Sequence, residues 1–124
     1  MTLKKILVID DDDTAREVVR ALIAAAGYPV VPLATPIGAT RLIRELGISA
    51  VVCDLNMPAM RGDSLARLFK ESKSLQRVRI ILISGAPREE LETILLAKTV
   101  DAIVHKSDMH QELVPALRKL LPEP

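Results

Sequence analysis

The sequence predicts an α/β domain in which one open, doubly wound parallel sheet carries helices on both faces. Four short apolar runs each end on a polar group: ILVI before Asp10 and Asp11, AVVC before Asp54, IILI before Ser84, and AIVH before Lys106. Runs this continuous suit strands buried on both faces, as in a parallel sheet covered by helices. Strand-like and helix-like patterns also alternate five times along the chain, the order that builds such a sheet. Ligands in open sheets of this kind bind beyond the carboxyl ends of the strands, so the four polar ends should share one edge.

The elements follow in order. The first strand is about Lys5 to Ile9. The first helix runs from about Thr14 to Ala26, with Val18, Val19, Leu22 and Ile23 on one stripe and Arg16, Glu17 and Arg20 outside it. Asp12 and Asp13 suit its cap, Thr14 with Glu17 matches a capping box, and Gly27 supplies its stop. Pro29 to Leu33 is a short, proline-flanked strand, as a sheet edge tolerates. Thr35 and Pro36 then offer cap and first-turn residues for a helix ending near Gly47. Ala50 to Cys53 is the third strand. A long loop leads to a helix from about Asp63 to Ser72 that should bury Leu65, Leu68 and Phe69. Arg79 to Ile83 is the fourth strand. Pro87 opens the fourth helix, whose early Glu89, Glu90 and Glu92 complement the helix dipole. Ala102 to His105 is the fifth strand, and the last helix ends near Leu121 before a frayed PEP tail. Pro115 falls inside that helical pattern, where it implies a kink or a late start.

The 124 residues amount to one domain, 1–124, able to bury about two thirds of its unfolded surface. Hydrophobic residues make up 49% and aromatics 2%, so the core must be aliphatic. Seventeen Lys and Arg against sixteen Asp and Glu, with no basic tract, give no footprint for nucleic acid or an acidic membrane. Ala21 to Thr40 carries no charge, but Gly27, Pro29, Pro32, Pro36 and Gly38 break it, so no membrane insertion is expected. The start of the chain does not read as a signal peptide. Cys53 is the single cysteine, which excludes an internal disulfide and fits a reducing cytoplasm; it reads as a small core hydrophobe. His105 and His110 read as surface or packing residues, and Met57 and Met60 as loop packing.

Three carboxylates gathered at one edge repel, each pair costing about 4 kcal/mol at 4 Å and an effective dielectric near 20. A divalent cation removes that penalty, and an all-oxygen donor set favours magnesium over zinc. With a phosphate present, Lys106 can pair with one oxygen and the Ser84 hydroxyl with another, leaving a third for the metal.

In this order and spacing, the acidic pair Asp10 and Asp11, Asp54 in VVCDLNMPAMRG, Ser84 with Gly85, and Lys106 resemble the receiver domain of two-component response regulators. The resemblance spans essentially the whole chain. It implies a flavodoxin-like (βα)5 fold with strand order 2-1-3-4-5 and no output domain. It implies that Asp54 is the phosphoacceptor, taking phosphate from a phosphohistidine on a sensor histidine kinase or histidine phosphotransfer protein, with Ser84 and Lys106 assisting. By the same comparison Asp11 ligates Mg2+ directly, Asp10 acts largely through water, and Asp54 and the main-chain carbonyl of Asn56 complete the protein ligands. The Asn56 side chain would lie beside the phosphate. Such a domain is no enzyme beyond catalysing its own phosphorylation and dephosphorylation. It signals by docking another protein through the face of the fourth helix, fifth strand and fifth helix.

Three positions depart from the family pattern. Ile103 replaces the usual Tyr or Phe three residues before the lysine, which weakens the expected coupling of hydroxyl to aromatic. Ser107 replaces the usual proline after the lysine, so a trans bond is expected there. Pro115 is the third. These departures leave room for a receiver-fold interaction module independent of phosphorylation. Asp10, Asp12 and Thr14 also imitate the DxDxT motif of haloacid-dehalogenase-type phosphatases, although that chemistry has no use for Asp54.

Overall fold

The structure, a computed structural model, describes residues 3–122, so Glu123 and Pro124 of the PEP tail lie outside the described residues. Five strands form one wholly parallel sheet: β1 (Lys5–Ile9), β2 (Val30–Leu33), β3 (Ile48–Asp54), β4 (Arg79–Ser84) and β5 (Ala102–His105). Their order is β2-β1-β3-β4-β5, as expected. The register sets Ile9 beside Cys53, Cys53 beside Leu82, and Ser84 beside His105. The polar residues that end the strands are therefore brought to one edge.

The helices are α1 (Asp13–Ala25), α2 (Ala39–Leu46), α3 (Gly62–Glu71), α4 (Arg88–Leu96) and α5 (Met109–Leu120). Alternate strand residues serve opposite faces. Leu7 and Ile9 of β1 join Ile43 of α2, Leu65 and Phe69 of α3, and Leu91 and Ile94 of α4. Ile6 and Val8 face the other way, onto Val19 and Ile23 of α1 and Leu113 and Leu117 of α5. Both layers are almost wholly aliphatic. Phe69 fills the first, and Tyr28 in the second donates its hydroxyl to the Leu121 carbonyl at 3.2 Å.

Four local expectations need correction. No Thr14–Glu17 capping box forms: Asp12 is the N-cap, its carboxylate accepting from Ala15 N at 2.8 Å, and Glu17 takes both hydrogen bonds from Arg20. The second helix does not begin at Pro36. Thr35 Oγ1 accepts from Ile37 N within a preceding turn, and Gly38, at φ 86°, caps the helix in a left-handed conformation that glycine adopts without steric cost. Leu68 is not buried; it lies about a hundred degrees of helical rotation from the stripe centred on Leu65, Ala66 and Phe69, and is 46% exposed. Of the kink or late start expected at Pro115, the late start does not occur: α5 begins at Met109 and runs through it. Pro115 and Gln111, whose carbonyl the missing N–H would have engaged, are both exposed.

No helix among the described residues is long and apolar enough to cross a membrane.

Candidate functional site

Asp10 follows β1 directly, and its main chain extends the sheet by donating from N to the Leu33 carbonyl at 3.1 Å. Its side chain then turns back over the β1–α1 loop, Oδ1 accepting from Asp12 N at 2.9 Å. Asp54 ends β3, and its Oδ1 accepts from Asn56 N at 3.3 Å. Carboxylate oxygens of Asp10, Asp11 and Asp54 all lie within 4.8 Å of one another. Asp10 and Asp54 are buried and Asp11 is exposed, so the cluster opens to solvent on one side. Burial is the main cause that raises the Asp10 pKa above its ordinary value; the hydrogen bond from Asp12 opposes this, and the charge of Asp54 adds to it.

A cation also approaches the cluster. Lys106 Nζ stands 3.7 Å from Asp54 Oδ2, with its side chain half exposed. Its stem passes over Gly85, where an added Cβ would lie 3.7 Å from Lys106 Cδ. Ser84 is fully buried at the end of β4, and its Oγ accepts from Ala86 N at 3.0 Å. This turn orders the loop after β4 and leaves the hydroxyl proton free to donate. Asn56, the last expected site residue, is exposed on the loop beyond Asp54.

The donor set fits a hard divalent cation. All the clustered ligand atoms are carboxylate oxygens, one carboxylate is open to solvent, and neither histidine belongs to the cluster. Cys53, adjoining Asp54, is fully buried, and desolvation pushes its thiol up to about 12, which makes it inert packing. Asp12, the second acid of the DxDxT imitation, is committed to capping α1.

Three features of the site were not legible as such in the chain. Arg16, placed on the outer face of the first helix by its spacing, reaches back so that Nη1 donates to the Asp10 carbonyl at 2.9 Å while Nη2 pairs with Asp13 at 2.6 Å. It clasps the loop that presents Asp10 and Asp11. Gly62, at the start of α3, packs directly behind Asp54 and donates from N to the Leu55 carbonyl at 2.8 Å. His105 caps the 3-10 turn Lys106–Asp108, its Nδ1 accepting from Ser107 N at 3.2 Å. That donor exists because residue 107 is not proline. No peptide bond among the described residues is cis.

Comparison with known proteins gives the family and the fold. A family model described as the response regulator receiver domain matches residues 6–118. The aerobic respiration control protein ArcA of Escherichia coli K12 is 26% identical over 121 residues, covering 98% of this chain and 50% of that protein. The sensor histidine kinase TmoS of Ectopseudomonas mendocina is 29% identical over 121 residues, covering 94% of this chain and 12% of that protein. The chain thus spans half or less of the length of these relatives. Among solved structures, a putative response regulator from Chloroflexus aurantiacus superposes with a TM-score of 0.89 at 22% identity, covering 98% of this chain and 100% of that one. The chemotaxis protein CheY4 of Vibrio cholerae gives 0.84 at 20% identity, covering 96% and 99%. At these identities the superpositions speak for the fold.

Proposed function

The chain belongs to the response regulator receiver domain family, and on that premise we propose that Asp54 accepts a phosphoryl group from a phosphohistidine on a sensor histidine kinase or histidine phosphotransfer protein. The observation that carries this reading is the position of Asp54, its carboxylate grouped with those of Asp10 and Asp11 and 3.7 Å from Lys106 Nζ.

An Asp54 oxygen attacks phosphorus as the P–N bond to the imidazole breaks. The bonding pair leaves with the imidazole nitrogen, and an acyl phosphate forms on Asp54. Lys106 places its charge where the phosphoryl oxygens arrive, and the Ser84 proton is available to a second oxygen. Magnesium, held by Asp11 and Asp54, by the main-chain carbonyl of Asn56, and by Asp10 largely through water, would neutralise the carboxylates and polarise a phosphoryl oxygen. By the family resemblance, the exposed Asn56 side chain would lie beside the phosphate and influence its hydrolysis. Gly85 and Ala86 keep that side of the site free of bulk. On this reading the chain is a signalling domain that catalyses only its own phosphorylation and dephosphorylation.

Output passes to another protein through α4, β5 and α5. A groove of about 160 Å³ on this face is lined by Leu91, Leu95, Ile103 and His105, with Arg88 at its rim paired to Asp108 at 2.9 Å. Ile103 lines this groove in place of an aromatic ring, and the coupling of the Ser84 hydroxyl to this face is correspondingly weaker. A cytoplasmic setting, where a kinase partner can deliver phosphate, agrees with the single buried, unpaired Cys53.

The test is intact-mass measurement after incubation with Mg2+ and a small acyl-phosphate donor. One phosphate adduct is expected, absent in Asp54→Ala. No adduct, or one that survives in Asp54→Ala, would overturn the reading in favour of a phosphorylation-independent interaction module. Repeated turnover of a generic phosphomonoester, lost in Asp10→Asn but not in Asp54→Asn, would instead indicate a phosphatase.

A further inference from the structure

We propose that the N-terminal edge of the sheet, opposite Asp54, binds a small organic polyanion of nucleotide size, with its phosphates on Arg44, Arg77 and Arg79 and its less polar body on an apolar floor. Arg79 opens β4 and Ser84 closes it, so the strand rise puts about 17 Å between this edge and the phosphoacceptor end. The two sites are separate.

Charge segregation is the first observation. A cavity of about 530 Å³ at this edge is lined by Lys4, Arg44, Arg77 and Arg79 and, among the described residues, by no acidic one. A second concavity of about 430 Å³ shares Arg77 and Arg79, adds Lys70, and has no carboxylate in its wall among the described residues. Among the described residues only Arg79 of these cations has an ion-pair partner, Asp101 at 3.2 Å. In a chain of formal net charge +1, a group of cations of which, among the described residues, only Arg79 is paired is a surface that an anion would stabilise.

Preorganisation is the second. Arg44 Nε donates to Ser74 Oγ at 3.0 Å, which ties α2 to the segment after α3 and leaves both Nη groups uncommitted among the described residues. Arg79 is held in turn by Asp101, whose other oxygen accepts from Ile80 N at 2.8 Å. Guanidinium groups held in this way suit bidentate contacts to phosphate.

The floor is the third. Ile43, Ile48, Val78 and Leu121, all buried, line the larger cavity beneath the cationic rim. A volume of this size with an apolar base is within the range of small-molecule sites and exceeds what inorganic phosphate would fill. The combination favours a ligand with both a body and at least two charged groups.

Calorimetric titration of the full chain with ADP, in EDTA and at low salt, tests the proposal. Saturable binding with Kd below about 1 mM is expected, weakened about tenfold by Arg77→Ala and by Arg44→Ala and less by Arg77→Lys. Both positions are exposed, and circular dichroism checks that the variants remain folded. Three outcomes would overturn it. One is the absence of saturable binding in that range. Another is pyrophosphate binding as tightly as ADP, since the floor would then contribute nothing. The last is binding abolished by Lys106→Ala and untouched by the arginine variants, which would place the phosphates at the opposite edge.

Discussion

Gly62 stands so close behind Asp54 that a Cβ on it would come within 2.7 Å of the Asp54 carbonyl oxygen, with Leu82 Cδ2 at 2.8 Å and Cys53 Sγ at 3.2 Å. The glycine allows α3 to start against the end of β3 and so sets the loop that carries Asn56. One of the blocking atoms is backbone in the sheet and cannot swing aside. Gly62→Ala is therefore expected to destabilise the fold by about 1–3 kcal/mol, the usual cost of overpacking. It should also slow phosphorylation of Asp54. Urea denaturation reads the first effect and adduct formation by mass the second; an unchanged midpoint would show that α3 recoils freely.

Asp10 makes the metal-free protein pH-sensitive in a definite direction. Burial raises its pKa in the folded state above the ordinary 3.8, so between those two values the folded chain binds more protons than the unfolded one. Its contribution is complete below the ordinary value and is lost as pH rises through the raised one. Asp10→Asn, which keeps an oxygen for Asp12 N, should hence raise the Tm of the metal-free protein at neutral pH and flatten the mildly acidic part of its stability profile. Adding Mg2+ should raise the Tm of the parent protein and raise that of Asp10→Asn far less. Equal responses of the two proteins would show that Asp10 takes no part in holding the cation.

Arg16 acts on the site through the loop. Its side chain is one-fifth exposed and holds both the Asp10 carbonyl and the Asp13 carboxylate. Removing it in Arg16→Ala should cost roughly 1–2 kcal/mol, the worth of a charged hydrogen bond with little added from the exposed Asp13 pair. Mg2+ affinity should fall as the loop loosens, while Arg16→Lys recovers part of the stability and little of the two-pronged clasp. Thermal melts with and without Mg2+ separate these effects. A melt shift with unchanged Mg2+ affinity would reduce Arg16 to a structural role.

Much of the site was readable because each of its parts ends a strand. A strand buried on both faces is a continuous apolar run, so its polar terminus stands out, and parallel strands in register must bring those termini together. Asp10, Asp54, Ser84 and Lys106 were visible for that reason. Helix boundaries were less so, since local cap chemistry competes: Thr35 forms a turn of its own and the left-handed Gly38 opens α2. Leu68 shows the same limit on one helix, where hydrophobicity alone does not say which residue faces the sheet.

By itself, the sequence determined the α/β class, the doubly wound sheet and the residues at the carboxyl ends of its strands, because period and punctuation are local properties of the chain. The tertiary structure decided what depends on residues meeting across the fold. The close approach of Gly62 to Asp54 is one case, since nothing in the chain near position 62 announces what lies behind it. The cationic edge is another: Lys4, Arg44 and Arg77 form no tract and become neighbours only because the sheet order places the starts of β1, β3 and β4 side by side. Charge counted along the chain is nearly balanced, and folding gathers these cations at one edge of the sheet.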